Sequence, residues 1–319
     1  MSPPCFINGA EHIEGDLNEE ERACYPPLGG LMANLASFRS DISRGSGVLT
    51  MAPLALDALS AALAKRVGFD AVYLGGGGLG YARAVTEALL TATEVAEATR
   101  AITERVDVNV IVDGGIGFGD AVHMDRTIRL IEGAGAAGIE IEDQVAPKRV
   151  HHHKGVEHLI PGDEMAEKIR AAVDARKNPD FAIIARCNAI SHEGGAAALQ
   201  RGAAYAEAGA DLLMFMPRND DEFAAISAGS SVPLAAMTIG PGRPKANMIE
   251  AGVTLEVDPM SGTVLAFRAL KQGYERLLAG EGLGMDRSEV MDVIHEVGET
   301  IGINDLYAIE EHTTERPSS

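Results

Sequence analysis

The sequence predicts a closed (β/α)₈ barrel of the TIM type, in the α/β class, on three observations. Short apolar, β-branched runs alternate with Ala-rich amphipathic stretches, eight such runs can be counted, and Gly or Asp bounds each pair. That alternation is the signature of strand–helix–strand units around a parallel sheet. Eight repeats favour closure over an open doubly wound sheet.

The eight predicted strands are Val48–Ala52, Ala71–Leu74, Val108–Asp113, Gly138–Glu142, Ala182–Arg186, Asp211–Phe215, Leu234–Met237 and Thr254–Val257. Between them lie predicted helices at Asp57–Val67, Glu94–Glu104, Ala121–Ala134, Asp163–Ala175 and Ala196–Ala208. Gly68, Gly135 and Gly209 each follow a helix and precede a strand. A glycine there takes the left-handed conformation that ends the helix and turns the chain back. After the eighth strand come two more helical stretches, Ser261–Leu278 and Ser288–Ile301. A barrel needs only one closing helix, so the second is expected to pack outside it or on a neighbouring subunit.

The chain has 319 residues, and single barrels run to roughly 250. One barrel at 41–280 is therefore expected, with a polar, Pro-rich arm at 1–40 (a short helix near Leu31–Phe38) and a helical extension and tail at 281–319. Trp is absent and aromatics are 4%, so the core must be aliphatic. The net charge of −20 excludes nucleic acid as a partner, because such binding rests on neutralising phosphates. The three cysteines, Cys5, Cys24 and Cys187, are too few and scattered for a disulfide framework or a zinc site. The N-terminus lacks the pattern of a signal peptide, and no stretch reaches the roughly 18 apolar residues of a membrane span. A cytoplasmic protein is expected, with no membrane partner.

In a barrel of this kind the chemistry sits at the C-terminal strand ends. The second strand runs into Gly75, Gly76, Gly77 and Gly78, and the third ends in Asp113-Gly114-Gly115-Ile116-Gly117-Phe118-Gly119. The fourth ends in Glu140-Ile141-Glu142-Asp143-Gln144 and continues into a polar loop carrying Lys148, Arg149, His151, His152 and His153. The fifth ends in Arg186-Cys187-Asn188. Asp113 and Glu142 stand on adjacent strand tips, where like charges repel unless a cation lies between them; oxygen ligands suit Mg²⁺ or Mn²⁺. The glycine runs let backbone N–H groups approach an anion. Arg186 is placed either to grip a carboxylate with two parallel hydrogen bonds or to form a salt bridge to Glu142 or a neighbour, and the two roles are compatible. Three consecutive histidines point in different directions and make a poor metal site, so one of them is better read as a proton donor or substrate contact.

Together, GFDAVYLGGGG (68–78), VDGGIGFG (112–119), AGAAGIEIEDQVAPKR (134–149), EMAEKIRAAVDARKNPDFAIIARCNA (164–189) and YAEAGADLL (205–213) resemble the isocitrate lyase/phosphoenolpyruvate mutase superfamily, particularly its short-chain lyases. The likeness extends from about Leu35 to Leu306. It implies a barrel, Mg²⁺, 2-hydroxy or 2-oxo dicarboxylates reacting through an enolate, and homotetramers (dimers of dimers) whose C-terminal helices swap between subunits. Residue by residue, the resemblance makes Asp113 and Glu142 the metal-associated acids, Lys148 the loop lysine and Arg186 the substrate-binding arginine. Gly75 and Gly76 fall where a Ser/Thr-Gly pair binds a carboxylate, with Tyr73 and Asn188 as further substrate contacts. His152 matches the histidine of the loop motif, making Lys148, His152 and Arg186 the catalytic candidates.

The departures are several. Gly115 stands in place of the second metal Asp, Val150 in place of the catalytic Cys, His151 in place of a Gly, Asn188 in place of an Asp, and Met216 in place of the Glu that ends the sixth strand. Glu87 lies within one residue of the family's Pro-Asp. The leading reading is a divalent-metal-dependent lyase making or breaking a C–C bond beside the carboxylate or carbonyl of a small 2-hydroxy or 2-oxo acid. The alternatives are a decarboxylase or hydrolase of a 2-oxo acid, metal-independent chemistry in a pocket made more apolar by Gly115, Val150 and Met216, or a barrel retained only for binding.

Overall fold

The structure, a computed structural model, describes residues 38–43 and 47–315. The predicted arm and most of the predicted Leu31–Phe38 helix lie outside the described residues; Phe38 itself opens helix α1 (Phe38–Ser43). Then follow β1 (Thr50–Ala52), α2 (Ala58–Val67), β2 (Ala71–Leu74), α3 (Gly76–Ala82), α4 (Ala92–Thr103), β3 (Asn109–Asp113), α5 (Ala121–Gly133), β4 (Gly138–Glu142), α6 (Gly162–Ala175) and β5 (Ala182–Cys187). The chain continues through α7 (Ile190–Glu193), α8 (Gly195–Glu207), β6 (Leu212–Phe215), α9 (Asp220–Gly229), β7 (Leu234–Met237), α10 (Lys245–Glu250), β8 (Val253–Val257), α11 (Ser261–Leu278), α12 (Arg287–Thr300) and α13 (Ile303–His312). Every strand pair is parallel, in the order β1-β8-β7-β6-β5-β4-β3-β2. The circle closes where Tyr73 N–H donates to Pro53 O at 2.8 Å and Ala55 N–H to Tyr73 O at 3.0 Å. The predicted barrel is thus the observed one, with strand ends moved by a residue or two.

Two apolar shells hold it together. Inside the barrel, Ala52, Tyr73, Ile111, Ile184, Leu212, Met214, Leu255 and Val257 are buried together, with Phe38 and Ile42 of α1 among them. Arg39 pairs with Asp211 at the start of β6 at 2.6 Å, and Thr254 Oγ1 donates to Ile42 O at 2.6 Å, so α1 plugs the N-terminal end. Outside, the alternate strand residues Val72, Leu74, Val110, Val112, Ile139, Ile141 and Ile183 pack under the helices. This inside/outside alternation is the two-residue period of a strand. With Trp absent, it fills the barrel with branched aliphatics.

One element departs from the sequence reading. The glycine run after β2, read as backbone free to approach an anion, is instead a helix, Gly76–Ala82. Each glycine costs about 1 kcal/mol of helix propensity relative to Ala, so tertiary packing must outweigh it. A Cβ on Gly78 would lie 2.9 Å from Leu54 Cδ2, and one on Gly80 would lie 2.7 Å from the backbone N of Glu87. The missing side chains let α3 press against the β1 loop and bring the Glu87 turn to the barrel mouth.

α11, α12 and α13 contain no buried residue, and their exposed apolar side chains include Phe267 (70%), Leu278 (91%) and Ile294 (55%). Arg66 of α2 holds α12 through Glu299 at 2.7 Å. Among the described residues no helix is long and apolar enough to cross a membrane.

Candidate active site

The candidate residues gather at the C-terminal strand ends around Lys148. Its Nζ lies 2.6 Å from Glu142 Oε1 at the tip of β4 and 2.6 Å from Glu87 Oε1, which opens a 3₁₀ turn (Glu87–Leu89) after α3. His152 Nε2 reaches the same Glu87 oxygen at 2.7 Å, while its Nδ1 meets Arg149 O at 2.6 Å. The loop after β4 thus folds back over the mouth and is latched to the Glu87 turn by two side chains. At its base, Val145 N–H donates to His158 O at 2.8 Å, and Ile160 N–H to Asp143 O at 3.0 Å. The neighbouring His153 turns to Thr86 Oγ1 at 2.6 Å, so the three histidines do not share a centre.

Asp113 ends β3 and is held by two backbone amides, Gly76 N–H at 2.9 Å and Gly115 N–H at 2.8 Å. Gly76, predicted to bind a substrate carboxylate through its amide, therefore donates that amide to Asp113. The same glycine has a steric role, since a Cβ there would sit 3.0 Å from Asp113 Oδ2. Gly75 is the N-cap of α3 and packs on the Tyr73 ring, 3.1 Å from a would-be Cβ.

Arg186, on β5, is surrounded by acceptors. Its Nη1 donates to Glu140 at 3.2 Å, its Nη2 stands 3.7 Å from Glu142, and its Nε donates to Asn188 Oδ1 at 3.0 Å. Asn188 Nδ2 in turn donates to Glu142 Oε2 at 3.1 Å, joined there by Gln144 at 3.1 Å. The Asn188 side chain bridges Glu142 and Arg186 and so orients both. Tyr73, predicted as a substrate contact, is fully buried, and its hydroxyl donates to Glu140 Oε2 at 2.6 Å.

Glu87 and Glu140 complete the site, and the sequence reading gave neither a role. The signal for Glu140 was present. In Gly138-Ile139-Glu140-Ile141-Glu142 two acids alternate with isoleucines, so both face the barrel interior, and Asp113 pairs with Glu140 in the register. Lys168 also went unnoticed, although it is a lysine on the apolar stripe of α6. Its Nζ donates to Ile116 O at 2.5 Å and pins the glycine-rich loop after β3.

Electrostatically the cluster is dense. Burial raises Asp113, and the charges of Glu87 and Glu142 add to that, against a lowering from Lys148. Burial pushes Glu140 up to about 7 despite Arg186 beside it. Burial also opposes ionisation of Glu142, but Lys148 and Arg186 outweigh it and hold the carboxyl below its ordinary range. At Glu87 the desolvation cost is overcome by the His152 hydrogen bond and the Lys148 charge, which keep it ionised. The ammonium of Lys148 is desolvated, yet Glu142, Glu87 and Asp113 together hold its proton firmly.

Two departures noted in the sequence fall away from this centre. Val150 is 51% exposed on the outer loop. Met216 lines a separate small cavity of about 70 Å³ with Phe215, Phe223, Met237 and Arg243. The expectation that Gly115, Val150 and Met216 jointly make one pocket apolar is corrected: of the three, Gly115 alone lines the large cavity of about 500 Å³ beside Asp113, Glu87 and Lys148. Loop geometry carries Val150 outward, and the β6–β7 side of the mouth holds Met216 apart. Cys187 is buried, its thiol raised by desolvation and facing Ala198 O at 3.8 Å, so it does not stand in for a loop cysteine.

A parallel eight-stranded barrel with acids, a lysine and an arginine converging on its C-terminal mouth has the architecture of the barrel enzymes, which carry their active sites at that face. The pattern that defines the phosphoenolpyruvate phosphomutase family matches residues 38–276, and the chain belongs to that family. It is 44% identical over 213 residues to the 2,3-dimethylmalate lyase of Eubacterium barkeri, covering 65% of this chain and 68% of that protein. It is 35% identical over 260 residues to the 2-methylisocitrate lyase of Salmonella typhimurium, covering 77% of this chain and 86% of that one. A crystal structure of phosphonopyruvate hydrolase with oxalate and Mg²⁺ superposes with a TM-score of 0.77 at 29% identity, covering 88% of this chain and 99% of that one.

A divalent cation fits the donor set. Among the described residues no three protein groups converge closely enough to hold an ion alone. Mg²⁺, however, usually takes one or two carboxylates and completes its shell with water and substrate oxygens. The N–H bonds on Asp113 occupy only part of its acceptor capacity, because a carboxylate has about four lone-pair sites. Burial and the neighbouring charges of Glu87 and Glu142 disfavour the ionised form of Asp113, and a cation would favour it.

Proposed function

We propose that this chain is a divalent-metal-dependent carbon–carbon lyase acting on a small 2-hydroxy or 2-oxo acid. The observation that carries the reading is Lys148, its ammonium seated between Glu87 and Glu142 beside Asp113, with the Arg186 guanidinium across the mouth. Asp113 and Glu142 would hold Mg²⁺ or Mn²⁺, and such an ion supplies charge stabilisation to an enolate. Arg186 grips the substrate carboxylate, while Glu140, Glu142 and Asn188 fix the orientation of its guanidinium. Cleavage passes the hydroxyl proton to the Asp113 carboxylate at the cavity wall, breaks the adjacent C–C bond and leaves the electron pair on the carbon beside the carboxylate; the proton held on Asp113 returns to Lys148 once Lys148 has given up its own. Lys148 Nζ carries the proton that this carbon then takes up, because two carboxylates keep it an ammonium at neutral pH. His152, latched on Glu87, keeps the loop closed over the mouth and excludes water.

The test is calorimetry of Mg²⁺ and Mn²⁺ with wild type and Glu142→Ala, with and without 2-oxo and 2-hydroxy acids. Binding that tightens with one acid and falls at least tenfold in the variant is expected. Failure of the wild type to bind the ion under any condition overturns the metal assignment. A second reading, hydrolysis of a 2-oxo acid, is favoured by the likeness to phosphonopyruvate hydrolase, 30% identical and covering 100% of that chain at a TM-score of 0.79. Release of inorganic phosphate from phosphonopyruvate distinguishes it.

The reading extends to a cytoplasmic homotetramer, a dimer of dimers, that exchanges its C-terminal helices. Its support is the exposed apolar row on α11, α12 and α13, since an apolar area of that extent marks an interface. Light scattering is expected to give about four times the chain's 33.5 kDa. Truncation after residue 280 should reduce the assembly to smaller species, and a monomeric full-length chain contradicts it.

A further inference from the structure

The cavity of about 500 Å³ beside the charged cluster is largely apolar, and the proposed chemistry leaves most of it unused. Glu87, Asp113 and Lys148 are its charged lining, and it is walled also by the segment that leads into α4. Its apolar lining includes Ala88, Leu90, Ala92, Val95, Ile116 and Phe118. Tyr73, Arg186 and Asn188 take no part in it.

Three features fix this wall before any ligand arrives. Phe118 has φ +58°, a left-handed backbone that a bulky side chain adopts only under constraint, and such strain persists where the surroundings over-determine it. Lys168 anchors the carbonyl of Ile116 from behind. Leu90 and Val95 are packed into the core, at 8% and 2% exposure. Gly115 lines the cavity beside Asp113, and a Cβ there would meet nothing within 4 Å, so the missing side chain leaves that space open.

We infer that this chamber binds an alkyl substituent of the substrate, and that the enzyme selects carboxylic acids bearing a chain of three or more carbons beyond the 2-oxo or 2-hydroxy carbon. The assignment rests on the carboxylate site proposed above. About 500 Å³ equals roughly seventeen water-sized volumes at ~30 Å³ each, more than a compact diacid fills. Apart from Glu87, Asp113 and Lys148 no charged side chain lines the cavity to meet a second carboxylate, whereas an alkyl chain against the apolar lining exchanges water for apolar wall.

The experiment is competition calorimetry in Mg²⁺ with oxalate and the straight-chain 2-oxo acids from four to eight carbons, on wild type, Ala92→Phe and Ala88→Leu. Affinity is expected to rise about fourfold for each added methylene, the ~0.8 kcal/mol of burying one CH₂ group. In Ala92→Phe the rise should stop while oxalate still binds, and Ala88→Leu should shorten the longest chain accepted. An affinity that stays flat or falls with chain length in wild type overturns the chamber assignment alone. An undiminished slope in both variants does the same. Absence of oxalate binding in wild type overturns the carboxylate site, and the chamber assignment with it.

Discussion

Lys148→Met is expected to cost both stability and turnover. Its side chain is 9% exposed and that of Glu142 only 1%, and the ammonium is 2.6 Å from two carboxylates. Methionine keeps the length of the side chain but leaves Glu87 and Glu142 desolvated and facing one another. Removing one member of a buried ionic cluster typically costs about 3–5 kcal/mol, because the remaining charge is stranded. Turnover should fall about 10²–10⁴-fold, the usual contribution of a positioned proton donor. The two effects separate in Lys148→Met/Glu87→Gln, where removing one stranded charge should restore part of the stability and none of the rate. Urea unfolding and steady-state kinetics measure them. A single variant with wild-type stability would show that the ammonium is not the counter-charge of this cluster.

Glu140 governs the second large effect, on stability against pH. Its carboxyl is raised from an ordinary 4.5 to about 7, chiefly by burial, so the folded chain holds this proton where the unfolded chain releases it. A raised carboxyl favours the folded state most below pH 4.5, and that contribution is lost as pH climbs toward 7. The span of about 2.5 units corresponds to about 3 kcal/mol. Glu140→Gln remains neutral throughout, can still accept from Arg186, and can donate to the Tyr73 oxygen. With metal removed by EDTA, the stability difference between variant and wild type is expected to shift in favour of the variant by about 3 kcal/mol from pH 4.5 to 8. Parallel curves would mean that Glu140 ionises normally. Glu142 and Glu87, both held low, lose stabilisation as pH falls, opposite in sign to Glu140, so the comparison must be variant against wild type rather than one curve alone.

The sequence carried the barrel because its determinants are local. Strand runs such as Ala71–Leu74 and Gly138–Glu142 coincide with the observed elements. Gly68 ends α2 in the left-handed conformation, and Gly135 and Gly209 take positive φ past α5 and α8, as their places in the chain demanded. In a parallel barrel the strand ends converge whatever lies between them. Naming the residues at those ends therefore named Asp113, Glu142 and Arg186 as neighbours before any coordinates, with Lys148 on the loop beyond β4.

Only the tertiary structure decided the rest. The glycines between 76 and 80 give no local helix signal because their propensity opposes a helix, and packing against Leu54 and the Glu87 turn outweighs it. Glu87 has no motif of its own here, and the glycine-permitted approach of α3 carries it to Lys148 and His152. Glu140 is a buried acid whose partners, Tyr73 and Arg186, come from different strands, so its protonation depends on desolvation that no local pattern encodes. Likewise Val150 and Met216 share with Gly115 only a departure from a family pattern, and the course of two loops places them in separate surroundings. Local chemistry chose the elements and their order; long-range burial and ion pairing chose which side chains share a site, because those energies exist only once distant strands stand side by side.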